Sequence, residues 1–300
     1  MTRLADIEGH IGSMRELLNL VGAMRSLAGM RMQEAQRALP GIRHYAESLT
    51  TALAGTLMLM MKPEPRQHRN PRARLALVLC TSEHGFVGGF NEQLVGGAEA
   101  TLAADDLVFV LGGRGAVLLY ERGRPARWAH AMATRCSAAP ETVRHLSEEL
   151  YRRIASSEIA RIDVMYSRHH QGGVSTQGSV STTLRRKLLP VDIASLKTRQ
   201  SRQPPLHNLD PARLYESLLG QYVFALLTEA AVESIASENA ARFAAMESAH
   251  DNVSTKLNRL RHEAHQARQT EITTELIELV GGAEAQRIKQ VLGGVRGATR

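Results

Sequence analysis

Two segments at opposite ends of the chain carry apolar residues in alternating steps of four and three. This repeat constrains the fold more than any other feature of the 300 residues. At the N-terminal end the positions are Ile7, Ile11, Met14, Leu18, Val21, Arg25, Ala28, Met32, Ala35, Leu39 and Ile42, and ten of the eleven are apolar. A seam of this spacing, held for about five heptads, means a helix wrapped on another helix, because a 3.5-residue repeat keeps one narrow stripe facing a partner. Toward the other end Phe243, Met246, His250, Val253, Leu257, Leu260, Ala264 and Ala267 repeat the spacing. The two ends are therefore expected to pair as an antiparallel two-helix coiled coil.

Local signals set the limits of these helices. Pro40-Gly41 is a fault where the first helix should kink or lose a hydrogen bond. The pattern resumes with Tyr45 and Leu49 and stops near Lys62-Pro63. KPEPRQHRNPRAR, with three prolines and a run of charge, reads as a linker. Asp210 before Pro211 is a good N-cap and first-turn pair, and no proline follows it. Past Ala267 the seam would land on Glu271, Thr274 and Glu278, whereas the apolar residues have moved to Ile272, Leu276 and Leu279. That five-residue step is a phase break. The coiled-coil partner should end there while the second helix continues. From Pro211 to Val280 such a helix would run ~105 Å at 1.5 Å per residue, longer than one compact domain of this size requires.

Between the helices the pattern alternates. Strands are expected at Leu75–Thr81, Leu107–Leu111, Ile162–Tyr166 and Val180–Leu189, and helices at Asn91–Ala103, Arg114–Glu121 and Glu141–Ser156. Alternating strand and helix argues for a small parallel-type sheet, a Rossmann-like α/β domain. The expected organisation is an N-terminal coiled-coil helix over 1–61, a linker over 62–74 and an α/β domain over 75–200. A second linker over 201–210, a C-terminal coiled-coil helix over 211–285 and a basic extension over 286–300 complete it.

Composition supports long helices: alanine, leucine, arginine and methionine are abundant, and aromatics make up only 4%. No continuous apolar run reaches the ~18 residues of a membrane span, and Met1 leads almost directly into helical pattern with no signal or transit peptide. A cytosolic setting is expected. Cys80 and Cys136 give neither metal spacing nor a disulfide framework, and Cys80 reads as a small buried side chain in a strand. Twelve histidines include His169-His170 but no metal-ligand spacing with an acidic helper. The net charge of +7 sits entirely in residues 62–210, which hold twenty-one Arg and Lys against fourteen Asp and Glu. Spread over a globular middle, it reads as a solvated basic surface rather than the basic stripe of a nucleic-acid reader. It would also suit an acidic partner surface or anionic headgroups.

TSEHGFVGGFNEQL (Thr81 to Leu94) follows an apolar run and leads into a helix, the order in which many proteins hold a phosphate. The P-loop needs a lysine and a hydroxyl after its last glycine, but Gly89 is followed by Phe90-Asn91. Gly85, Gly88 and Gly89 do not fit the dinucleotide fingerprint. Gly112-Gly113-Arg114-Gly115 lacks the lysine too. A structural turn is favoured over an anion site at a helix N-terminus. No catalytic spacing stands out, so the middle domain reads as a platform.

ITTELIELVGGAEA (Ile272 to Ala285), ENAARFAAMESAHDN, HQARQTEIT, SEHGFVGGFN and RIDVMYSRHHQGGVSTQ together carry a resemblance to a known family. Over essentially its full length the chain resembles the gamma subunit of F-type ATP synthases. The signature matches at Ile272, Thr273, Glu275, Glu278, Gly282 and Ala283. The sequence departs from the family at Phe86-Val87, where Leu-Cys is usual, and at Gly22, where a lysine usually precedes Ala-Met. Arg25 keeps a positive charge there, moved by three positions. A basic tail, QRIKQVLGGVRGATR, extends past the signature. Such departures suit a divergent branch, as from a second, alternative ATPase operon.

The resemblance implies a central-stalk rotor on the cytoplasmic face of a bacterial inner membrane, peripheral to the bilayer. Its turning would couple the membrane c-ring to conformational cycling of catalytic beta subunits during ATP synthesis or hydrolysis. The implied partners are the alpha and beta subunits of the catalytic ring, the epsilon subunit and the c-ring, with no nucleic acid. No cofactor is implied for this chain: MgATP and MgADP bind the alpha and beta subunits, and the chain is a non-catalytic subunit of an ion-translocating enzyme. Arg268, Gln269 and Thr273 match the family's patch for a loop of one beta subunit, and Met24 and Arg25 the place where the shaft passes an acidic loop. The rival readings are a nucleotide-binding α/β enzyme with helical arms and a stand-alone coiled-coil adaptor or nucleic-acid module.

Overall fold

The computed structural model describes the backbone of residues 2–59, 74–169, 181–192 and 206–297, and the side chains of 4–59, 74–169, 181–192 and 206–283. The expected linkers therefore fall mostly outside the described residues, as do His170 and the side chains of the basic tail. The chain forms two compact units. One is Met1–Ala23 with Glu247–Arg300, and the other is Met24–Met246.

Helix α1 spans Thr2–Leu59 and runs on through Pro40, so the expected fault does not end it. Strand β1 (Arg74–Cys80), α2 (Phe90–Glu99), β2 (Leu107–Leu111), α3 (Gly113–Glu121) and β3 (Trp128–His130) follow. A 3-10 turn, Cys136–Ala138, then leads into α4 (Ala139–Ala155), β4 (Ile159–His169) and β5 (Ser181–Leu189). Helix α5 takes up Pro211–Gly297. Strand β3 has no counterpart in the sequence reading, since three residues are too few to show a period. Helix α2 stops at Glu99 rather than Ala103, and Asp106 then accepts a hydrogen bond from the Ala103 N–H at 2.9 Å in the turn that follows.

The five strands lie in the order β3-β2-β1-β4-β5. The first four are mutually parallel and β5 pairs antiparallel with β4. Six of the seven β1 residues and all five of β2 are buried, as expected for parallel strands covered on both faces. One face, with Ala76, Val78, Phe109, Ile162 and Val164, packs against α1, α4 and α5. The other, with Leu77, Leu79, Val108, Val110 and Met165, packs against α2 and α3.

Helix α5 starts as its sequence indicates. The Asp210 carboxylate accepts hydrogen bonds from the N–H groups of Ala212 (3.1 Å) and Arg213 (3.2 Å), capping two of the free donors of the first turn. Residues 225–240 are buried without interruption. A helix enclosed on every side is mostly apolar, and here nine of the sixteen enclosed residues are Ala, Leu, Val or Ile, the others being three Glu, two Ser, Thr228 and Asn239. By length and composition α5 holds one stretch apolar enough to cross a membrane. Of that stretch 67% is buried inside the protein, as in a core helix.

In the larger unit α1 and α5 run antiparallel. Gly29 faces the Phe243 ring, Arg43 binds Glu229 and Glu233, and the Tyr45 hydroxyl donates to Gln221, so one index falls as the other climbs. In the smaller unit Arg268 reaches Glu8 in the same sense. All eleven N-terminal seam positions and all eight C-terminal ones are buried or half-buried. Beyond Pro40 the buried residue is Ala46, and Tyr45 points outward at 47% exposure, because the step from Ile42 is four rather than three.

Gly112 has φ 112°, and a Cβ there would lie 2.5 Å from the Thr81 carbonyl oxygen; at Gly115 it would lie 2.2 Å from Thr81 Oγ1. Gly112→Ala and Gly115→Ala should each lower stability by about 3 kcal/mol in urea unfolding, whereas Gly96→Ala, with open space around it, should be neutral or slightly stabilising. Burial pushes the Cys80 thiol up from 9.0 to about 12. The folded thiol thus holds its proton more tightly than the unfolded one. Its contribution is intact below about 9 and is lost as pH climbs toward about 12. Alkylation of the native protein at mildly alkaline pH should modify Cys136 and spare Cys80.

Candidate functional site

The seam ends where the spacing said it would. Ala264 and Ala267 are half-buried, and from Ile272 to Ala283 every residue is exposed although the helix continues. At about 100° per residue, Ile272, Leu276, Ile277, Leu279 and Val280 fall on one side of the helix, and Glu271, Glu275 and Glu278 on the other. The apolar residues are 51–71% exposed. Single exposed apolar side chains are ordinary; five on one helical face form a patch of the kind that marks a docking surface.

Arg268, Gln269 and Thr273 lie at the start of this segment, and all three are exposed. The Thr273 hydroxyl donates to the Gln269 carbonyl at 2.8 Å, an internal bond of the helix. Arg268 forms an ion pair with Glu8 of α1 at 2.6 Å, a partner the sequence did not suggest. Both side chains are at least half exposed, so the pair is worth ~0–1 kcal/mol, and a partner carboxylate could share the guanidinium. The signature residues Glu275, Glu278, Gly282 and Ala283 are exposed on the same segment. Met24 and Arg25 are half-buried on α1 in the larger unit.

The glycine turn after β1 is closed on itself. The Ser82 N–H donates to Asn91 Oδ1 at 3.0 Å, and Asn91 Nδ2 donates to Ser82 Oγ at 2.8 Å. Phe86 stands at φ 62° with its ring 69% exposed. At α3 the helix N-terminus is occupied by the protein itself, since Glu83 Oε2 accepts from the N–H groups of Gly113 and Met132, each at 3.0 Å. In an open α/β sheet a ligand binds outside the carboxyl ends of the strands where the strand order reverses, here between β1 and β4. Helix α5 covers that place. Ser234 Oγ donates to the Cys80 carbonyl at 2.6 Å and Ser237 Oγ to the Ser167 carbonyl at 2.8 Å. Arg242 reaches the carbonyls of His84 and Gly85, each at 3.3 Å, and pairs with Glu238 at 2.8 Å. Burial raises the Glu238 carboxyl above its ordinary range, against the pull of Arg242 and Arg31. Among the described residues no group of three or more His, Cys, Asp or Glu is placed to hold a metal ion.

A second set of charges was not legible in the sequence. Glu229 and Glu233, one turn apart on α5, have side chains 8% and 3% exposed. Three arginines from three elements meet them. Arg43 of α1 binds both carboxylates, Arg168 of β4 binds Glu233 at 3.1 Å, and Arg186 of β5 binds Glu229 at 2.8 Å. Burial pulls the Arg43 guanidinium down, but its bonds to Glu233 and Glu229 outweigh that and hold it above its ordinary value. Arg168 also sits 6.0 Å from the Tyr166 ring centroid. The signal that could have found this set is the i, i+4 pair of acids inside an apolar helix, since buried carboxylates require partners.

Comparison with known proteins agrees with this geometry. The ATP synthase family model matches residues 3–286. The chain is 30% identical to the ATP synthase gamma chain of Nostoc punctiforme and 29% identical to that of Trichormus variabilis, in each case across 95% of this chain and 99% of the relative. It is 27% identical to the gamma chain of Desulfitobacterium hafniense with the same coverage. Its fold is similar to a chain of the Euglena gracilis mitochondrial ATP synthase in a structure of OSCP, F1 and c-ring, with TM-score 0.54 and 13% identity over 94% of this chain and 96% of that one. A chain of the Tetrahymena thermophila central stalk and c-ring gives TM-score 0.50 and 16% identity over 77% and 99%. With a family match over nearly its whole length and a five-stranded mixed sheet carried between long terminal helices, the chain belongs to the gamma-subunit family of the F-type ATP synthases.

Proposed function

We propose that this chain is the turning element of its complex, a non-catalytic subunit peripheral to the cytoplasmic face of a bacterial inner membrane. The observation that carries the reading is the end of α5, which outlasts its partner helix and presents Ile272, Leu276, Ile277, Leu279 and Val280 to the outside. An apolar helical end of this kind fits a sleeve formed by surrounding alpha and beta subunits. A single chain inside a threefold ring meets three chemically equal sites with three different surfaces. Its contacts bias each site only by their differential affinity for the site's conformations, so no one angle should be gripped tightly. Arg268, Gln269 and Thr273 are the proposed polar contacts to a beta subunit, and Met24 and Arg25 the proposed passage by an acidic loop. The sheet domain, in this reading, meets epsilon and the c-ring.

Co-expression with the alpha and beta subunits tests the reading. A stable complex whose MgATP hydrolysis requires this chain is expected; a chain that stays apart from both, or that hydrolyses ATP alone, would refute it. Within the complex, Arg268→Ala or Gln269→Leu should lower ATP-driven turnover about fivefold, roughly 1 kcal/mol of barrier, while assembly persists. Full turnover in both variants would remove these residues from the contact. Truncation after Ala285 should alter the hydrolysis rate without preventing assembly, and an unchanged rate would leave the extension without a regulatory part.

A further inference from the structure

The buried stretch of α5 alternates small and larger apolar residues. Ala225, Ala230, Ala231, Ala236 and Ala240 offer little side chain to interlock, and Leu226, Leu227, Val232 and Ile235 fill the spaces between them. Apolar packing is non-directional, so it holds the helix in place without fixing its angle as sharply as directional bonds do. Glu229 and Glu233 differ in kind. They project from one face of α5 into bonds with arginines on α1, β4 and β5. Charge-assisted hydrogen bonds to planar guanidinium groups are directional, and anchors on three separate elements fix an angle as well as a height.

We propose that Glu229 and Glu233, with Arg43, Arg168 and Arg186, form a torsional lock that sets the angle of α5 against the sheet, so that torque applied at the sheet domain reaches the shaft without slip. The five are positioning residues. A buried ion pair is weak evidence for stability, since desolvation offsets most of its attraction, and its better-attested use is to specify one register. The arginines fit such a use: their side chains stay 34–44% exposed, so the network lies at the rim of the core, where each guanidinium keeps water on one side. Ser234 and Ser237, bound to the carbonyls of Cys80 and Ser167, hold the next turn of the same helix to the sheet.

The inference rests on the rotor reading, and the test separates the two. The probe is a bead fixed to the sheet domain of the assembled complex, with the alpha and beta ring anchored, watched during the pauses between steps. The double variant Arg168→Gln/Arg186→Gln removes the ion pairs that Glu233 and Glu229 make to β4 and β5, leaves both carboxylates with Arg43, and keeps the serine bonds to the strands. Its angular variance should rise about twofold over wild type, by more than the two single variants add, as for residues of one network. Unloaded ATP hydrolysis should stay near wild type, and Arg168→Lys should restore part of the stiffness. A general loss of stability would lower the yield of complex without widening the pauses of those complexes that form. Unchanged variance in the double variant would overturn the lock; should that variant fail to assemble, Arg186→Gln alone is read by the same criterion. A wild-type chain that does not assemble with alpha and beta would overturn the rotor reading and the lock with it.

Discussion

Burial of α5 between residues 225 and 240 is the constraint on which the rest depends. A helix that passes under a sheet and beside a second helix can carry only small side chains where the backbones come close. Here that means alanine and serine, with each buried serine hydroxyl of that stretch donating to a strand or neighbouring carbonyl. Small residues allow the close approach but give little grip. The charged pair on the same helix supplies direction where packing supplies only attraction. Toward the C-terminal end the constraint relaxes in stages, first to a one-sided seam and then to a helix exposed on all sides.

The same burial covers the strand ends of the sheet. Strand order and the glycine turn would suit a nucleotide site in another protein, since both the reversal between β1 and β4 and a helix after a glycine turn are present. In this chain Glu83 already satisfies the N–H of Gly113, and α5 lies across the carboxyl ends of β1 and β4. The phosphate-binding geometry has been turned inward to hold a shaft.

The spacing of apolar residues carried most of the fold. The seam, its end at Ala267 and the four longer strands follow from periodicity, because a buried stripe repeats with the geometry of its element. Asp210 was legible for a local reason, being a short side chain next to the first turn it caps. What the sequence could not show was long-range. Glu8 and Arg268 are 260 positions apart, and Arg43 and Glu233 are 190 apart. Nothing in the neighbourhood of one names the other. Strand β3 was lost because an edge of three residues has no pattern, and the outward turn of Tyr45 because either of two steps from Ile42 keeps a heptad. The site residues drew on resemblance rather than on spacing: exposed Arg, Gln and Thr on a helix are common, and only the run of exposed apolar residues beside them sets that face apart.

The rotor reading requires that the sheet domain of this chain turn within a ring of other subunits. Direct observation of a reporter on the sheet domain, with the alpha and beta subunits fixed to a surface and MgATP supplied, tests it. Rotation in one direction, pausing at three evenly spaced angles per turn, is expected. A reporter that stays still while the complex continues to hydrolyse ATP would contradict it.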